Sequence, residues 1–323
     1  MEPNLFNYAT SELSQDAFLL WLLEWAKPEN KPFDIELHSA SQNFLRFLMG
    51  KDASYEIRSV VCNKQWNHID VFALVNDSVA LIIEDKILTN EHSNQIERYR
   101  TMVNNYYAGK DIEVCSVYLK TGNESFNLLR KKCPSVKIVG RKDLMNLLQN
   151  SGSKNIILRD FIQHLQELDD KTDAFRNKAF EEWRGNPFAW QGFYMMLEEK
   201  YLHDAGWGYV SNRNGGFWGL WWHWVGKEDY SLKLQFEQSK LCVKLAFDMN
   251  SSKSIEIARS TRNKIFEKVK RENIEGLLFP KLKLGENMTI AYFSESSVFG
   301  QGIVDMETLV GKLLKIKKIL DEL

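Results

Sequence analysis

The stretch HIDVFALVNDSVALIIEDK, His68 to Lys86, decides the reading of this 323-residue chain. Val71 to Val75 and Val79 to Ile83 are aliphatic and β-branched runs, the composition that fits a pleated, buried surface. Asn76-Asp77-Ser78 between them supplies turn residues. In an antiparallel hairpin centred on Asp77, residues equidistant from it face each other, so Asp70 stands opposite Glu84. Partners of that kind have Cβ atoms roughly 4.5–5.5 Å apart, and like charges there destabilise the pair unless something neutralises them. A divalent cation would do so.

The two-residue period of a strand puts Glu84 and Lys86 on one face and Asp85 on the other. Two carboxylates and an ammonium therefore converge at the end of a strand, Val79-Ala80-Leu81-Ile82-Ile83, that is apolar on both faces. Ionisable groups closing such a strand are costly to bury, which argues for a site over a solvated face. Oxygen ligands suit Mg²⁺ or Mn²⁺, and a metal beside a lysine can hold and activate water for attack on phosphorus.

Working outward, the spacing predicts helices over Leu13 to Trp25 and Ala40 to Met49, the second closed by Gly50. Strands follow over Tyr55 to Cys62, His68 to Val75 and Val79 to Ile87. A helix over Asn90 to Tyr107, strands over Val114 to Leu119 and Val136 to Val139, and helices over Lys142 to Leu148 and Ile156 to Leu168 complete the first half. The polar stretch LDDKTD, Leu168 to Asp173, marks the expected boundary between domains 1–170 and 171–323. The second part reads as an α+β domain. It holds strands near Gly208, Gly216 to Val225, Tyr230 to Gln238, Leu241 to Asp248 and Thr289 to Phe293, with helices near Ser254 to Arg271 and Glu307 to Leu320.

The order and spacing of these features resemble the PD-(D/E)XK nuclease superfamily, whose core is an α-β-β-β-α-β unit. The matching motifs are His68-Ile69-Asp70 and Glu84-Asp85-Lys86, with Ile69 where the family signature has proline. Gln95 and Tyr99, four residues apart on one helix face, resemble the Q-x-x-x-Y motif of one branch. Glu12-Leu13-Ser14-Gln15-Asp16-Ala17 is similar to that branch's opening helix.

The resemblance implies a fold class, a restriction-endonuclease-like mixed sheet flanked by helices with a C-terminal α+β domain. It makes Asp70 and Glu84 metal ligands, joined by the backbone carbonyl of Asp85, and Lys86 the group that orients or activates water. Glu12 would be a supporting carboxylate, with Asp16, one turn on, as its alternative. Gln95 would position the lysine or the phosphate, with Tyr99 beside it at the substrate. The implied protein is a Mg²⁺- or Mn²⁺-dependent nuclease, acting on DNA rather than RNA. The alternative is a catalytically inactive nuclease-fold module that binds nucleic acid or regulates a protein partner through the C-terminal domain.

Composition agrees with a globular protein: 44% hydrophobic, 26% charged, net charge −1. A chain so nearly neutral can bind nucleic acid only through a local patch. Its four cysteines, Cys62, Cys115, Cys133 and Cys242, have no metal-site or disulfide-framework spacing, so they are read as free thiols in a reducing, cytoplasmic setting. Phe18 to Leu23 is too short to span a membrane. Seven of the ten tryptophans lie between Trp183 and Trp224, and with nearby Arg and Lys they are either core or a stacking surface for bases. The basic stretch Lys253 to Arg271 is either a solvated face or a phosphate-binding one.

Overall fold

The computed structural model describes residues 3–89, 94–213, 215–247, 253–283 and 285–323. The chain forms two compact units, 1–124 with 129–171, and 125–128 with 172–323.

The first unit opens with α1 (Glu12–Glu24), whose start is capped by the Ser11 hydroxyl accepting from the Ser14 amide. Next comes α2 (Ile35–Met49), capped by Asp34 and ended by Gly50 in the left-handed conformation. Strands β1 (Val60–Lys64), β2 (Val71–Val75) and β3 (Val79–Lys86) form the antiparallel part of a sheet. Helix α3 (Gln95–Tyr106) then leads to β4 (Glu113–Lys120), and the short helix α4 (Phe126–Lys132) to β5 (Lys137–Gly140). Helices α5 (Arg141–Gln149) and α6 (Ile156–Asp173) close the unit. Sheet order is β1-β2-β3-β4-β5, with β3, β4 and β5 parallel.

In the decisive hairpin Val71 pairs with Ile83 and Val75 with Val79, the register of a turn centred on Asp77. Asn76 and Asp77 both have positive φ, 52° and 51°, the geometry of a tight type I′ turn that matches strand twist. The Asn76 side-chain oxygen accepts from the Arg58 and Ser59 amides at 2.8 and 3.1 Å. That bond pattern makes β1 begin at Val60 instead of Tyr55, because the preceding backbone is held by a side chain and not by a ladder. The expected strand start at His68 is likewise a turn, Trp66–His68, and Asp70 lies just outside β2.

All eight residues of β3 are buried, as a strand covered on both faces requires. On one face Val71, Ala73, Val75, Leu81 and Ile83 pack against Leu19, Leu22, Phe44, Leu144 and Phe161 from α1, α2, α5 and α6. On the other, Phe72, Ala80 and Ile82 pack against Val103 of α3. The LDDKTD stretch, where the boundary was expected, is the end of α6, and the two units divide inside it, between Lys171 and Thr172. Asn90 to Ser93, the expected start of α3, lie outside the described residues.

The second unit begins with α7 (Pro187–Lys200), capped by Asn186. Strands β6 (Gly206–Val210), β7 (Phe217–Gly226), β8 (Ser231–Glu237) and β9 (Lys240–Ala246) follow as a meander. After α8 (Lys253–Arg271) come β10 (Leu277–Leu278), β11 (Asn287–Phe293), α9 (Glu295–Phe299) and α10 (Met306–Asp321). The sheet order is β10-β11-β9-β8-β7-β6, with every pairing antiparallel. Its inner face and the helices enclose an aromatic core in which Phe180 stacks on Phe299 at 4.2 Å, with Trp183, Trp190, Phe193 and Trp222 around it.

Candidate active site

The carboxyl ends of β3 and β4, where the parallel part of the sheet opens, gather the candidate residues. Strand parity sends Glu84 and Lys86 to the α3 face and Asp85 to the α1 face. The Lys86 ammonium forms an ion pair with Glu84, lies 3.4 Å from Asp70 Oδ2, and donates to the Asp85 carbonyl at 3.0 Å. Asp70 Oδ2 also accepts from the Asp85 amide at 3.0 Å, which ties the turn before β2 to the end of β3. The Asp85 carbonyl proposed as a metal ligand therefore has Lys86 on one of its lone pairs.

On the α1 side, Gln15 Nε2 donates to Asp85 Oδ1 at 2.6 Å while its oxygen accepts from the Thr121 hydroxyl at 2.8 Å. Glu12 Oε1 accepts from the Ile87 amide at 3.0 Å and the Thr89 hydroxyl at 2.7 Å, so it closes the end of β3. Asp16, one turn on, is only 2% exposed. Tyr99 donates to the His68 carbonyl at 2.6 Å and accepts from Gln95 Nε2 at 2.9 Å. This places both α3 residues beside the turn that carries Asp70. Asp70, Glu84, Asp85 and Lys86 thus share one cluster, with Glu12 and Asp16 at one side and Tyr99 and Gln95 at the other.

The cluster has too little positive charge for its acids. Glu84 and Asp85 are fully buried. Burial, followed by the negative charge of Asp70, pushes both the Glu84 and Asp16 carboxyls up to about 7. Burial also raises Asp85 well above the usual carboxylate range, against the Gln15 bond. For Glu12 burial is outweighed by the Thr89 and Ile87 bonds, and its carboxyl stays below its ordinary value. Burial opposes the charge of Lys86 too, but the Glu84 bond and the charges of Glu84 and Asp70 hold its pKa above normal. Lys86 is therefore a proton-bearing cation here, a donor and not a base.

Several carboxylate oxygens are unanswered. Among the described residues neither Glu84 oxygen takes a hydrogen bond beyond its ion pair with Lys86, and the buried Asp16 Oδ1 and Asp85 Oδ2 receive no donor from elsewhere, leaving the two carboxyls to face each other. Such atoms are costly unless a further cation or proton reaches them. Among the described residues no three His, Cys, Asp or Glu side chains form a complete metal centre. The donor set fits Mg²⁺, which takes one or two protein carboxylates and fills its remaining positions with water and phosphate oxygens.

Four neighbours escaped the sequence reading. Lys120, fully buried at the end of β4 and paired in register with Lys86, donates to the Thr89 carbonyl at 2.5 Å and lies 3.5 Å from Glu124. Its signal was present, since an ionisable residue closing an apolar strand is the pattern that flagged Glu84 to Lys86. Gln15 and Thr121 bridge α1 to the end of β4. Gly122 passes so near the sheet that a Cβ there would meet the Ile87 carbonyl oxygen at 1.9 Å, so only glycine allows this close approach.

Residues 3–132 match the family model of the PD-(D/E)XK nuclease superfamily. The match covers most of the N-terminal unit and supports that superfamily for it, and the unit's five-stranded mixed sheet flanked by helices is consistent with the restriction-endonuclease-like fold. No curated protein and no solved structure gives a significant match to the chain. Among the described residues no helix is long and apolar enough to cross a membrane.

Proposed function

We propose that the protein is a Mg²⁺- or Mn²⁺-dependent nuclease that hydrolyses phosphodiester bonds in DNA. The observation that carries this reading is the surplus of buried carboxylates around Lys86, with oxygens left unanswered, at the end of the central strand. Asp70 and Glu84 would hold the cation, with the Asp85 carbonyl offering its second lone pair. When bound, the metal would supply positive charge that polarises the phosphate and lowers the pKa of water.

The chain's own groups do the rest. Lys86 would donate to the phosphate oxygen where negative charge develops. Asp16, with its raised pKa and its carboxyl beside that of Asp85, is the better placed of the two α1 acids to exchange a proton at the site. Glu12 instead fixes the backbone of Ile87 and Thr89, and so positions Lys86. Gln95 and Tyr99 act as the Q-x-x-x-Y pair, with Tyr99 locking the His68 turn and Gln95 facing the substrate side. The second unit selects the substrate. Free thiols with raised pKa values, Cys62 up to about 12 by burial among them, are inert and suit a reducing cytoplasm.

The test is to incubate purified protein with circular single-stranded and linear duplex DNA, in Mg²⁺, Mn²⁺ or EDTA. Metal-dependent cleavage that EDTA stops is the expected result. No cleavage of any nucleic acid with either metal would leave the non-catalytic binding module as the better reading.

A further inference from the structure

We propose that the face of the second unit's sheet opposite its apolar core binds single-stranded nucleic acid, with backbone phosphate at the Lys233–Lys244 pair and bases stacked on Trp224 and Trp221. As a statement about substrate this rests on the nuclease reading above. As a statement about binding it can be tested without any cleavage.

The helices of this unit pack on one face of the sheet, where Leu232, Leu234, Phe236, Leu241, Val243 and Leu245 point. The alternate residues form the other face. Cross-strand register arranges them in rows. Lys233 pairs with Lys244, and Lys244 with Thr289; in the next row Trp221 pairs with Gln235, and Cys242 joins Gln235 to Tyr292. Trp224 joins this face through a β-bulge. His223 has φ 57° and the register shifts between Trp222 and Val225. The bulge turns His223 to within 3.0 Å of Asp321, and Trp224 the other way, under the Lys233 ammonium at 4.2 Å. Bulges of this kind re-aim a side chain and are a feature of functional edges.

Two lysines directly opposite each other destabilise a sheet unless an anion answers them. Lys244 is answered, donating to the Thr289 hydroxyl at 2.6 Å and pairing with Glu237. Lys233 is 8% exposed, and among the described residues no carboxylate lies within ion-pair distance; its neighbour is the Trp224 ring. Burial and then the charge of Lys244 lower its pKa, the mark of a cation that lacks a counter-charge. A phosphate supplies that charge. Trp224 is 53% exposed, with Lys233 covering one side of its ring. Large exposed aromatic area beside an unpaired cation is what a base and its phosphate need together. A duplex keeps its base faces stacked inside, so the fit is to a single strand.

The test uses fluorescein-labelled oligothymidylate of about 20 nucleotides and a duplex of equal length, with full-length protein in EDTA so that no cleavage intervenes. Fluorescence anisotropy should show the single strand bound at least ten-fold tighter than the duplex. Trp224→Ala should weaken single-strand binding about ten-fold, the loss expected for one stacked base. Lys233→Met, which keeps the aliphatic stem on the tryptophan, should weaken it and flatten the dependence of log K on log salt by about 0.7, one phosphate contact. Melting temperatures within a few degrees of wild type would certify both folds.

Equal binding of duplex and single strand, or both folded variants binding like wild type, would overturn the proposal. So would wild-type self-association lost in Trp224→Ala with no oligonucleotide binding, which would make the face a contact between copies. Binding as expected together with no metal-dependent cleavage would overturn the nuclease reading alone. Cleavage with unaltered binding in both variants would overturn this inference alone.

Discussion

Each unit of the molecule sets like charges against one another across an antiparallel pair of strands, and the two answer the conflict differently. In the first unit the register of β2 and β3 ends at Val71 and Ile83, Asp70 and Glu84 follow one residue beyond it, and Asp16 and Asp85 crowd the same strand end. One ammonium, Lys86, serves four acids. In the second unit Lys233 stands opposite Lys244, and the conflict is half resolved by Glu237, Thr289 and the Trp224 ring. Glu84 and Asp85 sit where a fully buried strand ends, and burial raises their pKa values and that of Asp16. The two lysines are as little exposed as Lys86, but the tryptophan beside them is half-exposed. The acids call for an ion that enters between them, whereas the lysines call for an anion held next to an aromatic ring.

The largest effect should come from breaking the acid pair. Asp70→Asn is expected to reduce metal-dependent cleavage on the order of 10³-fold or more, because it removes a charge that a hard cation and a developing phosphate charge both need. In EDTA the same variant should melt no lower than wild type. The Asn oxygen can still accept from the Asp85 amide, while one of the facing negative charges is gone. A clearly lower melting temperature in EDTA would mean that Asp70 is a structural acceptor first, and the comparison with the lysine pair would fail.

Next in size is the lone cation. Lys86→Ala should lose roughly 10²-fold in turnover, a typical contribution of a positioned donor. It should retain Mg²⁺ binding, read as a melting shift, since the ammonium is not a ligand. Full turnover in a folded variant would remove Lys86 from the chemistry.

The linkage of protons to the metal gives a graded test. Glu84 and Asp16 have folded pKa values near 7, above their ordinary values of 4.5 and 3.8. Between those limits the folded state holds more protons than the unfolded one, so stability conferred at low pH is lost as pH rises toward about 7. Metal-free protein should therefore be less stable at pH 8 than at pH 5, as far as these groups govern it. A cation needs the deprotonated acids, so the Mg²⁺-induced rise in melting temperature should be larger at pH 8. At a hundred times the dissociation constant the stabilisation is about 2.7 kcal/mol. Equal shifts at both pH values would show that the buried acids do not take up the metal.

The parts of this site that were legible in the sequence are those that depend on local periodicity. Symmetry about Asp77 places Asp70 against Glu84, and the strand period separates Lys86 from Asp85; neither needs knowledge of the rest of the chain. The same local logic reads β7 as alternating, yet it misses the bulge at His223, because a positive φ at histidine has no composition signature. Helix α1 escaped in another way. Its apolar residues at three- and four-residue spacing mark it as a helix, but that Gln15 reaches Asp85 and Thr121 follows from packing between residues 70 and 106 positions apart. The close approach of Gly122 to Ile87 arises from the parallel pairing of β3 with β4, which a linear reading cannot see. The polar composition of LDDKTD marks the place where the two units divide, but not that the chain passes through it as the last turns of α6.

The smallest expected effect concerns Tyr99, and it sharpens the contrast between groups that carry charge and groups that hold geometry. Its hydroxyl donates to the His68 carbonyl and accepts from Gln95, so it links α3 to the strained turn in which Gln65, Asn67 and His68 all have positive φ. Tyr99→Phe keeps the ring packed beside Phe72 and Val103 and removes that link alone. The cost should be about 1 kcal/mol in stability, the ordinary net worth of one hydrogen bond. Because the turn aims Asp70, cleavage should fall only several-fold, with the pH dependence of the Mg²⁺ melting shift unchanged. Urea unfolding and the pair of melting curves at pH 5 and pH 8 measure both quantities. If Tyr99→Phe instead abolishes cleavage while stability stays within a few tenths of a kcal/mol, the hydroxyl touches the substrate, and Tyr99 belongs with Lys86 among the chemical groups rather than with the positioning ones.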